Sequence, residues 1–402
     1  MKNVFIDKIF FILYGVVTTV AYIIALPFLF IFSKRKIKYK ISIPARFFLK
    51  DNRPLSPNGV WFHVCSFGEA RAIYPLLDAL PNESLRLTTT TQTGHEAIYQ
   101  KQPRESRYLP FEPLLFSWLK PQKVLVVMEA EFWYLLFALA KSRGAKTMLI
   151  NARMSDRSFH KYERMSWLYG QIFKHIDEVY AQSSIDKERL ERLGATNVQV
   201  IGNIKLSDIA GAKKELTKPK ALLVCAASTH EGEEALILKA FVKLKEKEPK
   251  ARLIIVPRHP ERFSKVSKMV EECSKEHHYS WHNYSENEAL NSDIIVADVL
   301  GELVNIYAVS DIVILGGAFA KIGGHNAAEA AQFGCKIISG VHYFNQRDIF
   351  SMIEGIKVVN EDELPLTLEN YNELKETKIV QRTDIEPILE SIKRELEKKV
   401  GE

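Results

Sequence analysis

Acidic side chains and glycines recur in this sequence where apolar runs stop. The run Val60–Cys65 leads into Ser66 and Gly68, with Glu69 and Arg71 just beyond. A carboxylate in the first turn of a helix is favoured in its ionised form by the macrodipole. Glu69 therefore reads either as a partner of the helix dipole or as a general base, ionised at neutral pH, that takes a proton from a hydroxyl. A second run, Lys123–Met128, ends in Glu129-Ala-Glu131-Phe-Trp133, and this acidic pair either caps a helix or lines the same cleft as Glu69. A third ends in Asn151-Ala-Arg153-Met-Ser-Asp-Arg157-Ser. Its arginines suit an anionic ligand or a solvated loop. Lys205, in Gly202-Asn-Ile-Lys205, could stabilise negative charge in a transition state.

The second half repeats the pattern with different side chains. Ala227-Ser-Thr-His-Glu-Gly232 and Pro257-Arg258-His259-Pro-Glu-Arg262 both follow apolar runs. Ser228 and Glu231 have the spacing of a capping box. Arg258 and His259 suit a phosphate or a base edge. Further on stand Asp298-Val-Leu300-Gly301-Glu302, Leu315-Gly-Gly317 and Gly323-Gly-His-Asn326-Ala327-Ala328-Glu329. The span Asn326 to Gly334 predicts a helix with an Asn cap, Glu329 three positions on, and Gly at its C-terminus. Glycines ahead of such a helix let a phosphate approach bare backbone N–H groups. A carboxylate one turn in can then accept from ribose hydroxyls. His277, His278 and His282 lie in a polar stretch and read as surface. No HExxH, Walker lysine, GxSxG or spaced His/Cys set is present.

These residues need elements to hold them. Strands are expected at Val60–Cys65, Lys123–Met128, Thr147–Asn151, Glu178–Ala181 and Val198–Ile201, with helices at Glu69–Leu80, around Trp133–Ser142 and at Ser184–Leu193. After the polar stretch Lys213–Lys220 the pattern restarts. Strands are expected at Ala221–Ala226, Arg252–Val256, Asp293–Val296, Ile312–Leu315 and Lys336–Ser339, with helices at Glu231–Lys247 and Asp384–Lys399. Alternation of this kind predicts an α/β protein with two parallel-sheet, Rossmann-like halves joined near residue 210. Ligands are then expected at the C-terminal ends of strands, between the halves.

Composition narrows the class. The 402 residues are 47% hydrophobic and 26% charged, which excludes disordered, collagenous and coiled-coil chains. A net charge of +6 is too mild to argue for nucleic acid. The four cysteines, Cys65, Cys225, Cys273 and Cys335, are far apart and read as reduced thiols rather than disulfides or metal ligands. No charged residue stands between Ile9 and Phe32, and Lys34, Arg35, Lys36, Lys38 and Lys40 follow. As a helix this stretch is about 36 Å long against a bilayer core of about 30 Å. It is apolar on all sides and lacks a small-x-small cleavage site, which predicts an uncleaved transmembrane helix rather than an interfacial helix or a signal peptide. The basic flank keeps the rest of the chain cytoplasmic.

Taken together, the motifs resemble those of the bacterial Kdo transferases, which attach 3-deoxy-D-manno-octulosonic acid (Kdo) to a lipid A precursor. The resemblance runs in order from about residue 60 to 350. It rests on Ser66-x-Gly68-Glu69-x-Arg71, Thr90-Thr-x-Thr93-Gly, Met128-Glu129-x-Glu131-x-Trp133, Asn151-Ala-Arg153-x-Ser155-x-Arg157-Ser158 and Gly202-Asn-x-Lys205. Ser228-Thr-His-Glu-Gly-Glu233, Pro257-Arg-His-Pro-Glu-Arg262, Gly301-Glu302, Gly323-Gly-His-Asn326-x-x-Glu329 and Phe344-Asn345 continue it. Where that family often has Thr, Pro and Pro, this chain has Ala130, Tyr134 and Ala327.

The resemblance implies a glycosyltransferase of the B type: two Rossmann-like domains, preceded here by the transmembrane helix. It implies an anchor with its basic flank over 1–40, an acceptor domain over 41–210, a nucleotide-sugar domain over 211–375 and a C-terminal helix over 376–402. By resemblance Glu69 is the base, supported by Glu131 or Glu129 and by Lys205. Arg258, His259, Leu300, Gly301, Glu302 and Asn326, Ala327, Ala328, Glu329 would hold CMP. Ser66, Arg71, Arg153 and Arg157 would meet the acceptor. The implied partners are CMP-Kdo, a lipid A precursor and inner-membrane lipid, with no metal or other cofactor and no nucleic acid. The implied location is the cytoplasmic side of the bacterial inner membrane, single-pass. Two rivals share the residues: another nucleotide-sugar enzyme of this fold, such as a UDP-sugar transferase or epimerase, and a noncatalytic membrane scaffold.

Overall fold

The computed structural model describes residues 2–35, 39–207, 209–380 and 383–398, with backbone alone at 2–5, 35, 156 and 157. Two compact units result, 1–208 with 382–402, and 209–381.

Unit 1 carries seven strands: β1 Val60–Val64, β2 Leu85–Thr89, β3 Ser106–Tyr108, β4 Val124–Met128, β5 Lys146–Ala152, β6 Glu178–Ala181 and β7 Val198–Val200. They form one sheet in the order β3-β2-β1-β4-β5-β6-β7, and every pairing is parallel. A parallel sheet is covered on both faces, so its strands read as continuous apolar runs. β4 shows this: Leu125 and Val127 face one core with the helix Tyr134–Ser142, and Val124, Val126 and Met128 face the other. The last helix, Glu386–Glu397, returns to unit 1. Its Ile388, Leu389 and Ile392 join the second of these cores, and Ser391 Oγ donates to Glu178 at 2.7 Å.

Unit 2 carries β8 Leu223–Thr229, β9 Arg252–Pro257, β10 Trp281–Asn283, β11 Ile294–Val296, β12 Ile312–Leu315, β13 Lys336–Gly340, β14 Ile353–Glu354, β15 Lys357–Val359 and β16 Lys378–Ile379. Its main sheet has the order β10-β11-β9-β8-β12-β13-β15, again parallel throughout. β14 and β16 form a small antiparallel ladder.

Several expectations change. The single helix Glu69–Leu80 is two helices, Phe67–Ala72 and Tyr74–Asp78, because Pro75 starts the second. β2 and β3 had no apolar signature. Thr88 is buried in β2, where Trp61 Nε1 donates to its hydroxyl at 2.8 Å, so a polar residue sits in the core with its partner. The capping box of Ser228 and Glu231 does not form: Ser228 lies within β8 and Gly232 is the N-cap of Glu233–Lys247, without a side-chain cap. The helix expected over Asn326 to Gly334 shrinks to Ala328–Ala331, although Asn326 Oδ1 still accepts from Ala328 N at 3.0 Å.

The N-terminal helix Lys2–Arg35 contains Pro27. From Ile6 to Lys34 it is long and apolar enough to cross a membrane.

Candidate active site

In both sheets the strand order reverses at one place, between β1 and β4 in unit 1 and between β8 and β12 in unit 2. Loops that leave such a switch point diverge and open a crevice at the carboxyl ends of the strands. The residues singled out in sequence stand on these loops or their neighbours.

After β1, Ser66 is the N-cap of Phe67–Ala72 and accepts from Glu69 N. The Glu69 carboxylate is buried and held at both oxygens. Oε2 accepts from Cys65 N at 2.8 Å and Oε1 from Ser66 Oγ at 2.8 Å. Each oxygen keeps a lone pair for another proton. Contrary to the dipole argument, the proton affinity of Glu69 is raised. Burial is the largest cause, and the neighbouring Glu129 and Glu131 add to it against the Cys65 N–H and Ser66 hydrogen bonds. A base of higher pKa is the stronger base.

After β4, Glu129 takes a left-handed backbone with φ 59°. For a non-glycine residue this costs about 1 kcal/mol or more and is kept only where the surroundings enforce it. Its carboxylate is 2.9 Å from Lys205 Nζ and 3.8 Å from Arg153 Nε. Glu131 is turned elsewhere and accepts from Trp133 Nε1 at 2.7 Å. The acidic pair thus divides: Glu129 binds the lysine and Glu131 sits beside Cys65.

Lys205 comes from far along the chain, and a buried amide network places it. Asn151, with φ 51°, accepts at Oδ1 from Ile204 N at 2.9 Å. Gln182 Nε2 donates to Asn151 O at 3.1 Å, and Asn203 Nδ2 donates to Gln182 Oε1 at 3.1 Å. Asn203 then caps the turn Ile204–Leu206 through Lys205 N. Gln182 and Asn203 carry no chemistry of their own; Asn203 belongs to the Gly202-Asn-Ile-Lys205 motif, and nothing in the local sequence marks Gln182. Arg71 points outward and lies over Tyr74 at 5.0 Å. The side chain of Arg157 lies outside the described residues.

His63, Cys65 and Glu131 each place a ligand atom within 4.8 Å of the others. The half-buried Arg46 brings its positive charge near Cys65 and Glu131, and burial pushes the Cys65 thiol up. His63 is held neutral, its pKa lowered to about 3 by burial and then by Arg46.

In unit 2 the loops after β8 and β12 are joined by Glu233, a residue that the capping expectation passed over. It is buried and accepts four backbone N–H groups: His230 and Gly317 at 2.9 Å each, Phe319 at 3.1 Å and Ala320 at 3.0 Å. A Cβ on Gly316 would lie 2.4 Å from Ser228 O, so only glycine allows the loops this close. Over them, His230 and His325 meet at 2.9 Å through Nε2 with parallel rings, and His259 lies 5.4 Å from His230. His325 is pushed down to about 4 by burial, with His230, Arg258 and His259 adding to it. Arg258 and His259 are exposed on the loop after β9. Glu329 is raised by burial, against a hydrogen bond with Asn326 and the charge of Arg258. Ala327 and Ala328 are buried beneath it. Leu300–Glu302 forms a turn after β11 with local contacts. Gly301 has φ 91°, Leu300 is 70% exposed, and Glu302 accepts from Asn305 at 2.9 Å.

The family model described as 3-Deoxy-D-manno-octulosonic-acid transferase (kdotransferase) matches residues 41–208. A 3-deoxy-D-manno-octulosonic acid transferase of Haemophilus influenzae is 32% identical over 83% of this chain and 83% of its own. This chain belongs to the Kdo transferase family. The transferase of that name from Bordetella pertussis is 30% identical over 77% of this chain and 78% of its own. A solved C-terminal CMP-Kdo binding domain from Acinetobacter baumannii aligns at 25% identity over 44% of this chain and 90% of that one, with a TM-score of 0.33. As a member of the family, this Kdo transferase is a glycosyltransferase.

Proposed function

We propose that this chain moves Kdo from CMP-Kdo to a lipid A precursor, with inversion, without a metal, and with Glu69 as general base. The observation that carries the reading is the position of Glu69. It is a buried carboxylate at a switch point, gripped at both oxygens, raised in proton affinity and flanked by a Glu129–Lys205 ion pair. An acceptor hydroxyl gives its proton to Glu69 as its oxygen bonds to the anomeric carbon of Kdo. The bond from that carbon to the phosphate oxygen breaks, and the electron pair leaves with CMP.

Lys205 supports the charge that develops, with Glu129 fixing its ammonium. Glu131 completes the acidic surround that raises Glu69. On unit 2, Arg258 and His259 suit the phosphate of CMP, beside loops that Glu233 holds together. Asn326 and Glu329 suit the ribose, with Ala327 and Ala328 forming the floor, and the turn Leu300–Glu302 flanks the base. Ser66, Arg153 and Arg157 are assigned to the acceptor, whereas Arg71, stacked on Tyr74, is the least placed for it. The enzyme would work on the cytoplasmic face of the inner membrane, where its acceptor's acyl chains stay in lipid.

The test is product mass after incubation with CMP-Kdo and lipid A precursor. Gain of one or more Kdo residues by the wild type, and none by Glu69→Gln, is expected. Turnover with a UDP-sugar in place of CMP-Kdo would overturn the donor assignment.

A further inference from the structure

The transfer chemistry leaves two groups beside Glu69 without a task, the imidazole of His63 and the thiol of Cys65. They stand two positions apart in an extended stretch, so their side chains share one face of it. Glu131 reaches them from the loop after β4, the strand next to β1. The three offer a nitrogen, a sulfur and an oxygen. Wide cysteine spacing hides the set in sequence, because its ligands come from a strand end and from a loop far along the chain.

Each group is held as a ligand would be. His63 is fully buried. Its Nδ1 is 3.0 Å from Thr88 Oγ1, and Thr88 is itself fixed by Trp61 Nε1 at 2.8 Å. Its Nε2 is buried and meets no hydrogen-bonding partner among the described residues. Such an atom is uncommon in a folded protein, since nothing offsets its desolvation. A ring oriented through one nitrogen, with the other left open, is the usual state of a metal-binding histidine. The Cys65 thiol donates to the Glu131 carboxylate and accepts from Thr90 Oγ1 at 3.0 Å. A proton thus already joins sulfur to carboxylate, and a cation that replaces it would join the same two groups. Trp133 Nε1 orients that carboxylate from 2.7 Å.

Distance and charge choose the ion. Zinc bonds of about 2.0–2.3 Å at tetrahedral angles set ligand atoms about 3.5 Å apart. The three atoms here lie within 4.8 Å of one another. Cys65 and Glu131 are only partly buried, and rotation of their side chains closes the difference. A thiolate and an imidazole favour zinc over magnesium or calcium, which take oxygen. Arg46, whose Nε donates to Leu109 O at 3.1 Å, adds a positive charge nearby. The ion, Arg46 and Lys205 together then face a thiolate, Glu69, Glu129 and Glu131, and the charges cancel.

We infer that His63, Cys65 and Glu131 form a site for one zinc ion that restrains the transferase when it binds. The thiol gives its proton to solvent as the sulfur–zinc bond forms, and nothing is oxidised or reduced. His63 Nε2 and a Glu131 oxygen supply two further bonds, and water takes the fourth position. The ion has no part in the transfer. Its restraint rests on the reading of Glu69 as base: Cys65 N grips Glu69 at 2.8 Å, so an ion on the Cys65 side chain bears on the group that must take the proton.

Cobalt(II) is the probe, because a thiolate bound to it absorbs in the near ultraviolet and imidazole or carboxylate alone does not. The full chain in detergent should develop this band at one ion per chain, and zinc should abolish it. The band should be lost in Cys65→Ala, and cobalt should bind at least ~10-fold more weakly to Glu131→Gln. No band in the wild type would overturn the inference. So would a band that survives in Cys65→Ala, which would come from another thiol such as Cys273. This readout needs no turnover, so it stands or falls apart from the role of Glu69. Zinc should also slow transfer by the wild type and leave Cys65→Ala at its own metal-free rate. A wild type that zinc does not slow would overturn the restraint.

Discussion

The two switch points share a topology and differ in charge. Unit 1 gathers three carboxylates, Glu69, Glu129 and Glu131, buries the first of them and pairs the second with Lys205. Unit 2 gathers three imidazoles and an arginine over a set of N–H groups that a single buried carboxylate, Glu233, holds in place. The same strand reversal supplies the crevice in each, and the loop side chains decide what it can do. Crowded carboxylates raise one another's proton affinity and make a base. An exposed arginine beside loops that a buried carboxylate holds together suits an anion and needs no titration.

The sharpest way to break this contrast is Glu69→Gln, which keeps shape and removes basicity. Turnover should fall by at least ~100-fold, with CMP affinity and melting temperature nearly unchanged. The acid limb of kcat/KM should lie above the ordinary carboxylate range in the wild type, because the pKa of Glu69 is raised. A variant that still transferred Kdo at close to the normal rate would move the base to Glu131 or Glu129. Next in size is Glu233→Ala. Four N–H groups would lose a charged acceptor inside unit 2, and hydrogen bonds to charged groups contribute about 1.5–3 kcal/mol each. Water entering the gap would restore part of this, so a loss of about 3 kcal/mol in unfolding free energy is expected, together with weaker CMP binding. Unchanged stability in denaturant titration would show that the loops hold themselves.

Glu329→Ala sharpens the donor side. CMP affinity should fall by roughly tenfold, the worth of one charge-assisted bond at the low end of its range. If Glu329 serves only the helix start, stability should drop by about 1 kcal/mol while CMP titration stays the same. The smallest effect concerns pH. His325 titrates at about 4 in the fold against an ordinary 6.5. The unfolded chain therefore binds its proton first, and the contribution of His325 to stability is complete above about pH 6.5 and lost as the pH falls toward 4. His325→Gln should flatten that part of the melting-temperature profile, and an unchanged slope would place the acid sensitivity elsewhere, His63 and His230 being further groups with a lowered pKa.

Much of the site could be read along the chain because a parallel strand must end in a loop at the crevice. Glu69, Glu129, Asn151, Arg258 and the glycines all stand just past an apolar run. β2 escaped because its buried Thr88 carries the hydroxyl that meets both Trp61 and His63, so burial left no apolar signature. The pairing of Ser228 with Glu231 failed for a similar reason. Local spacing suggested a cap, but the carboxylate two positions later reaches across to the loop after β12 and takes the structural role.

The sequence by itself determined the two parallel-sheet units, the strand ends that carry chemistry and the apolar N-terminal helix. Each is a matter of local periodicity, since the faces that a strand or helix must bury are written in its own residues. Tertiary structure alone decided three things. It chose Glu129 over Glu131 as the partner of Lys205, through amides drawn from three separate stretches of chain. It turned the proton affinity of Glu69 upward, because desolvation and the charges on another loop outweigh what its own helix supplies. It also laid the N-terminal helix along unit 1, a contact that depends on Glu112, Tyr134 and Lys174, residues about 100 or more positions away. Charge and burial act through space, and no local spacing reports them.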